Sequence, residues 1–296
     1  MFPFALLLWV SSAVVFDGVA PRVRVDAGEA KPTSGPPIEA NAWRVRLLRA
    51  RGAQAVRVNI PGAQLAANDA LRAIADAAVA GGAWAGSPGA SRHAAEYVSF
   101  FERHADWNGF APAGPLGIVD DPAGAAQTLE EECLNILAQR RVPYRIVERA
   151  DLAAPGALDG LKAVLAIGLA ERRPLDEFAA RGGIVLTDEE PDPDALVKKL
   201  VKLIGRAELG VRVFDTPSVL PYVSSGDSGK RLLVQLVNYA SAPATRVTVR
   251  INGDYRAARL YTPDSPDTQL PLERPEGCVQ VEIRSIPVYA AVLLEK

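Results

Sequence analysis

The rhythm of apolar residues changes once along this chain, near residue 210, and that change constrains the fold most. Before it, between residues 115 and 205, short apolar runs alternate with helical periods. Runs at 116–120, 144–147, 163–167 and 184–187 read as strands. Residues 124–140, 174–180 and 193–204 read as helices, with a short turn near Leu152. The first helix carries Leu129, Cys133, Ile136 and Leu137 on one stripe. Continuously apolar strands separated by helices predict a parallel sheet covered on both faces. The expected layer is flavodoxin-like. After the change, from 211 onward, no helical period remains. Runs at 219–223, 232–238, 246–251, 255–261, 279–284 and 288–294 read as strands. Val247, Val249 and Ile251 face one way and Arg246, Thr248 and Arg250 the other. Asn252 and Gly253 both tolerate positive φ and predict a type I′ hairpin between the strands flanking them. Short strands at this spacing predict an antiparallel β-sandwich.

Ahead of residue 109 the order is strand, helix, strand, helix, helix. A strand is expected at 22–26, then a Pro/Gly-rich loop at 31–37, a helix at 39–51 and a strand at 53–60 closed by Pro61 and Gly62. Asn68 is expected to cap a helix running to about residue 80, with Leu71, Ile74, Ala75 and Ala78 on one face. Residues 91–104 form a further helix carrying Tyr97, Phe100 and Phe101. This order suits the last units of an α/β barrel, or an addition to the next region. The expected boundaries are a signal peptide over 1–20, a βα appendage or barrel remnant over 21–108, the α/β region over 109–206 and the sandwich over 207–296. Residues 2–16 are apolar except for Pro3, Ser11 and Ser12, which is shorter than the ~20 residues of a membrane span. They match the apolar core of a signal peptide, without its basic start, which predicts an extracellular or periplasmic protein. The same run also reads as a buried strand or helix.

With 33 basic and 35 acidic residues the net charge is -2, which argues against a nucleic-acid partner. Two cysteines and two histidines are too few for a Cys- or His-rich metal site, and no metal or cofactor is expected.

The segment from Tyr97 through Phe100, Phe101 and His104, followed by Gly114-Pro115-Leu116-Gly117-Ile118-Val119-Asp120, resembles the junction after the catalytic barrel in large bacterial glycoside-hydrolase-like proteins. An α/β region similar to class I glutamine amidotransferases follows the barrel there. Residues 134–147 are similar to that region's second unit and residues 178–186 to its closing strand. Residues 233–239 and 257–264 are similar to the β-sandwich that ends such proteins. The resemblance covers about residues 97–296. A whole barrel needs about 250 residues, so the resemblance implies a chain without it. It further implies a non-catalytic accessory or carbohydrate-binding portion. A glycoside hydrolase with its site between the first two zones is the alternative. A structural subunit that self-associates, or that joins a separate catalytic barrel, is a third.

An amidotransferase needs a nucleophilic Cys on a tight strand-to-helix turn and a His beside it. The corresponding residues are Ile167-Gly168-Leu169-Ala170, and no His follows residue 104. Cys133 lies on the apolar stripe, where a small thiol packs well. Residues 226–230, Gly-Asp-Ser-Gly-Lys, fit neither a phosphate loop nor a protease nucleophile and predict a hairpin turn. Asp120 and Asp121 end the first parallel strand, the edge where such sheets hold ligands. They suit a sugar or cation contact, or turn formation and helix capping. Asp188, Glu189, Glu190, Asp192 and Asp194 read as a solvated loop. Trp84, Tyr97, Trp107, His93 and His104 flank the first junction. Their rings suit stacking on sugars or packing between regions.

Overall fold

The computed structural model describes residues 13–24, 38–61, 65–86, 91–124, 126–169, 172–187, 192–275 and 277–296. The apolar run up to residue 12, the 31–37 loop, Gly62, Ala170 and the acids Asp188, Glu189 and Glu190 lie outside these residues. The fold is mixed α/β, with both parallel and antiparallel sheets.

The first region comprises β1 (Val14–Asp17), β2 (Arg22–Val23), β3 (Ile38–Glu39), α1 (Ala42–Ala50), β4 (Val56–Asn59), α2 (Ala67–Ala78), β5 (Ala83–Trp84) and α3 (Arg92–Arg103). β1, β4 and β5 are parallel neighbours in that order. Val56 and Val58 turn inward against Val45 and Ala77, while Arg57 and Asn59 face solvent. Ala66, not Asn68, precedes α2, and Asn68 lies within the first turn. A helix so rich in alanine forms without a side-chain cap. Ser91 does cap α3, its hydroxyl accepting from the Ala94 N–H at 3.4 Å.

β6 (Ala111–Pro112) leads into the middle region of β7 (Leu116–Asp120), α4 (Gln127–Gln139), β8 (Tyr144–Glu148), β9 (Ala163–Leu165), α5 (Arg173–Ala180), β10 (Ile184–Leu186) and α6 (Pro193–Ile204). The four strands β7 to β10 are all parallel, in the order β10-β9-β7-β8. Leu116 and Ile118 meet α4 and α6 on one face, joined by Leu47 of α1. Val119, Val147 and Val164 meet Leu175 and Phe178 of α5 on the other. On α4 the buried stripe is Glu130, Cys133, Leu134 and Leu137, so Leu129 and Ile136 pack only partly.

The last region comprises β11 (Val211–Phe214), β12 (Val219–Gly226), β13 (Arg231–Asn238), β14 (Ala244–Asn252), β15 (Ala257–Thr262), β16 (Ser265–Gln269), β17 (Cys278–Ile286) and β18 (Tyr289–Glu295). They form two antiparallel sheets, β11-β14-β17 and β16-β15-β18-β13-β12-β6. Val247, Val249, Ile251, Val281 and Ile283 of the first share a core with Val234, Leu236, Val292 and Leu294 of the second. Each such burial contributes roughly 1.5–3 kcal/mol. Both edges of the larger sheet carry a proline, Pro266 in β16 and Pro112 in β6, where a missing N–H costs no ladder bond.

The hairpin expected at Asn252 and Gly253 does not form. β14 already has β11 on one edge and β17 on the other, so no edge remains for the next strand. Asn252 stays in β14 opposite Cys278, and only Gly253 takes positive φ (110°). The chain then crosses to the other sheet, where β15 pairs with β18. The turn over 226–230 does join β12 to β13, with Gly226 opposite Arg231.

The outer face of the larger sheet is covered by the first region. Leu71, Ile74, Tyr97, Phe100, Trp107 and Phe110 pack on Leu220, Leu233, Val237 and Tyr289. Inside this contact Asp76 of α2 is fully buried. Its carboxylate accepts from the Asn41 N–H (2.7 Å), the Asn41 amide (3.0 Å), the Ala42 N–H (3.4 Å) and the Tyr239 hydroxyl (2.5 Å). The Tyr239 and Tyr222 hydroxyls are 2.7 Å apart. Asp76→Ala leaves four buried donors without their acceptor and is expected to cost about 3–5 kcal/mol of unfolding free energy. Tyr239→Phe removes one donor and is expected to cost about 1–2 kcal/mol. Urea denaturation of both variants checks that order; equal losses would refute it.

Candidate functional site

Two places gather most of the side chains that the sequence singles out. The first is a cavity of about 310 Å³ between α2, α3 and the larger antiparallel sheet. Trp84, at the end of β5, forms one wall, and Phe101, His104 and Trp107 form another. Glu102, Asn108 and Gln235 supply polar groups. The His104 ring stacks on Trp107 at 4.2 Å and 18°, and Tyr261 meets both edge-on. Burial holds the His104 imidazole below its ordinary pKa against the pull of Asp106 and Asp267. The ring is therefore neutral at pH 7, with one donor and one acceptor nitrogen. Gly86 lies against the Trp84 ring; a Cβ there would come within 2.0 Å of it. Gln235 is held in place by the Tyr289 hydroxyl, which donates to its carbonyl oxygen at 2.8 Å.

Three of the aromatic residues picked from the sequence thus meet in one place: Trp84, His104 and Trp107. Tyr97 does not join them. It is buried under the sheet, its hydroxyl bonded to Asp264, and burial raises its pKa. His93 is exposed, 3.2 Å from Glu96 on the same helix.

The second place is the carboxyl end of β7. Asp120 is buried and accepts two hydrogen bonds from Arg51 of the first region, at 2.8 and 2.7 Å. That bond raises the Arg51 pKa. Asp121 accepts from Arg149 at 2.7 Å. The Asp121 carbonyl does form a turn, accepting from Gly124 N–H at 2.8 Å, but neither side chain caps α4. Glu130 completes the group: the Asp121 N–H donates to it at 3.4 Å. Burial pushes the Glu130 carboxyl up to about 7, helped by Asp120 and Asp121 and opposed by that N–H and by Arg51. Both aspartates are enclosed by their arginines and neither lines the aromatic cavity.

After β9, at the place that the resemblance gives to a nucleophile, Gly168 takes φ +64°. The Cys133 thiol is buried, and burial raises its pKa to about 12, which suits packing rather than attack. Among the described residues no group of three His, Cys, Asp or Glu is placed to hold a metal ion. No helix there is long and apolar enough to cross a membrane.

The sequence did not single out Arg51, Arg149, Glu130, Asn108 or Gln235. Glu130 was accessible in principle, since it shares the helical phase of Cys133, Leu134 and Leu137. Nothing local points from Arg51 to a partner 69 residues away.

No protein-family profile matches the chain, and no curated protein does. Among solved structures, the α-L-fucosidase isoenzyme 2 from Paenibacillus thiaminolyticus superposes with a TM-score of 0.61 at 12% identity, over 86% of this chain and 62% of that one. A rhamnosidase from Novosphingobium sp. PP1Y superposes with a TM-score of 0.60 at 13% identity, over 96% of this chain and 34% of that one. Both neighbours are glycoside hydrolases, and this chain spans 62% of the first and 34% of the second. At these identities the likeness is one of fold.

The Glu130 shift has a definite sign. An unfolded glutamate titrates near ~4.3. The folded group titrates at about 7, so the stability tied to its proton is full below the unfolded value and is lost as pH rises through the folded one. Glu130→Gln, which keeps the neutral form at every pH, is expected to raise unfolding free energy by about 1–3 kcal/mol at pH 8. Near pH 4.5 it should change little. Urea denaturation at the two pH values tests this, and a pH-independent effect would contradict it.

Proposed function

We propose that this chain is the non-catalytic, carbohydrate-binding portion of a glycoside-hydrolase-like protein. The observation that carries the reading is the cavity walled by Trp84, His104 and Trp107. A pyranose presents an apolar C–H face to an aromatic ring and hydroxyls at its rim. Indole walls with Glu102, Asn108 and a neutral imidazole at the edge suit both. At about 310 Å³ the cavity is at the small end of ligand sites and suits one or two sugar units.

Three features support the assignment of parts. Counted from β7, the middle sheet has the strand order 2-1-3-4, that of a flavodoxin-like or amidotransferase-like layer. The two antiparallel sheets share one core, as in a β-sandwich. β1, β4 and β5 are consecutive parallel neighbours, which suits the closing units of an α/β barrel. In this reading the protein works outside the cytoplasm, in the periplasm or beyond the cell. A hydrolase acting through Asp120 or Asp121 has less behind it, because an arginine engages each carboxylate.

The test is a glycan array followed by calorimetry on Trp84→Ala. The expected result is binding of a neutral oligosaccharide without release of reducing sugar, weakened about tenfold or more by the substitution. Failure to bind any neutral glycan, or unchanged affinity in the variant, would refute the reading.

A further inference from the structure

A second concavity lies on the far side of the middle region. It is a trough of about 1100 Å³ between the C-terminal ends of α4 and α6 and the edge strand β11. Its walls carry Arg140, Arg141, Lys198, Lys202, Arg206 and Arg212. Among the described residues Asp215 is the one acid in its lining. Asp194, just outside, pairs with Arg140 and with Lys198 (2.6 Å). Glu208 is engaged by Lys162 at 3.7 Å. The two helix ends add about half a negative charge each, so a surplus of about three positive charges remains. The whole chain carries -2, so this local excess is a feature of placement and not of composition.

Arg141 is held in position. Arg141 sits in the left-handed region at φ +59°, and its guanidinium donates to the carbonyls of Val213 (3.2 Å) and Thr216 (3.3 Å). Burial and the neighbouring Arg206 keep its pKa below the ordinary value. Like charges near one another destabilise each other, and an anion between them relieves that repulsion. Guanidinium groups match carboxylate and sulfate oxygens in pairs.

We infer that this trough binds an acidic carbohydrate chain, one bearing carboxylate or sulfate groups on successive sugar units. That the polyanion is a carbohydrate rests on the function proposed above; that it is an anion rests on the trough alone. A nucleic acid fits less well. Single strands bind by stacking bases on aromatic faces. The one aromatic ring among the described residues lining the trough is Phe214, and Arg212 and Arg250 lie over it at 5.8 and 5.2 Å.

The experiment is fluorescence anisotropy on the full chain at low ionic strength. The probes are labelled oligogalacturonate, sulfated dextran oligomer, neutral maltodextrin and oligo(dT) of similar length. At least one acidic glycan should bind, more weakly as salt rises. Lys202→Gln with Arg206→Gln, both exposed, should weaken it about tenfold or more with unchanged thermal melting. Trp84→Ala should leave acidic-probe affinity unchanged. No binding of either acidic probe, wild-type affinity in the double variant, or oligo(dT) bound as tightly would each overturn the proposal. Acidic-probe binding that persists where neutral glycans fail would remove the aromatic-cavity reading and leave this one standing.

Discussion

The Asp76 carboxylate is the constraint on which the arrangement of the first and last regions depends. Desolvation of this buried group raises its pKa, and four donors oppose that cost. Those donors come from the start of α1 and from Tyr239, beyond β13. Asn41, one of them, also accepts from the Val19 N–H at 2.8 Å and donates to the Val19 carbonyl at 2.9 Å. One acid therefore fixes the start of α1, the segment after β1 and the face of the larger sheet. Apolar packing alone would let α2 slide along that face. A buried acid with directed donors allows one register.

The aromatic cavity inherits its shape from that register. Ile74 and Ala78, on the helix that carries Asp76, line it from one side. Gln235 lines it from the sheet, held by the hydroxyl of Tyr289, whose ring meets Phe100 and Phe101 edge-on. The aromatics that wall the cavity are thus continuous with those that join two regions. One cluster of rings thus both packs the regions together and lines a cavity, so the proposed ligand surface does not compete with the packing role. Trp107 is nearly buried in that core, while Trp84 packs against it only in part.

Burial imposed a readable period on most elements but not on β11, whose four residues alternate buried and half-buried and were not read as a strand. β7 and α6 fall where the alternation of apolar residues places them, and most boundaries elsewhere differ by a few residues. β5 and β6 have two residues each, too few to show any period. β16 is exposed at every position, so it has no apolar alternation to read. Asn252 and Gly253 carry a strong local turn signal, yet the strand after them goes to the other sheet. Which edges are already filled is a property of the whole fold and not of the dipeptide. The same holds at the candidate sites. Aromatic residues marked the cavity because their side chains are rare and chemically distinct. The arginine partners of Asp120 and Asp121 were invisible because ion pairs between distant segments leave no pattern along the chain.

Those ion pairs bear on what the middle region can do. A carboxylate that accepts two bonds from one guanidinium has committed its charge, and freeing it costs the pair as well as the contact. Arg51 reaches Asp120 from just beyond the end of α1, so moving that side chain toward a substrate would also loosen the contact between the first and middle regions. Gly168 offers no nucleophilic atom at the bend after β9. The end of the parallel sheet, where such layers usually hold ligands, is here occupied by the protein's own charges. Two concave surfaces lie away from that end: one aromatic, against the antiparallel sheet, and one cationic, at the far ends of α4 and α6. Each concavity lies where two regions meet, α2 and α3 against the larger antiparallel sheet in one and α4 and α6 against β11 in the other, so the side chains that turn into each gap come from segments far apart along the chain.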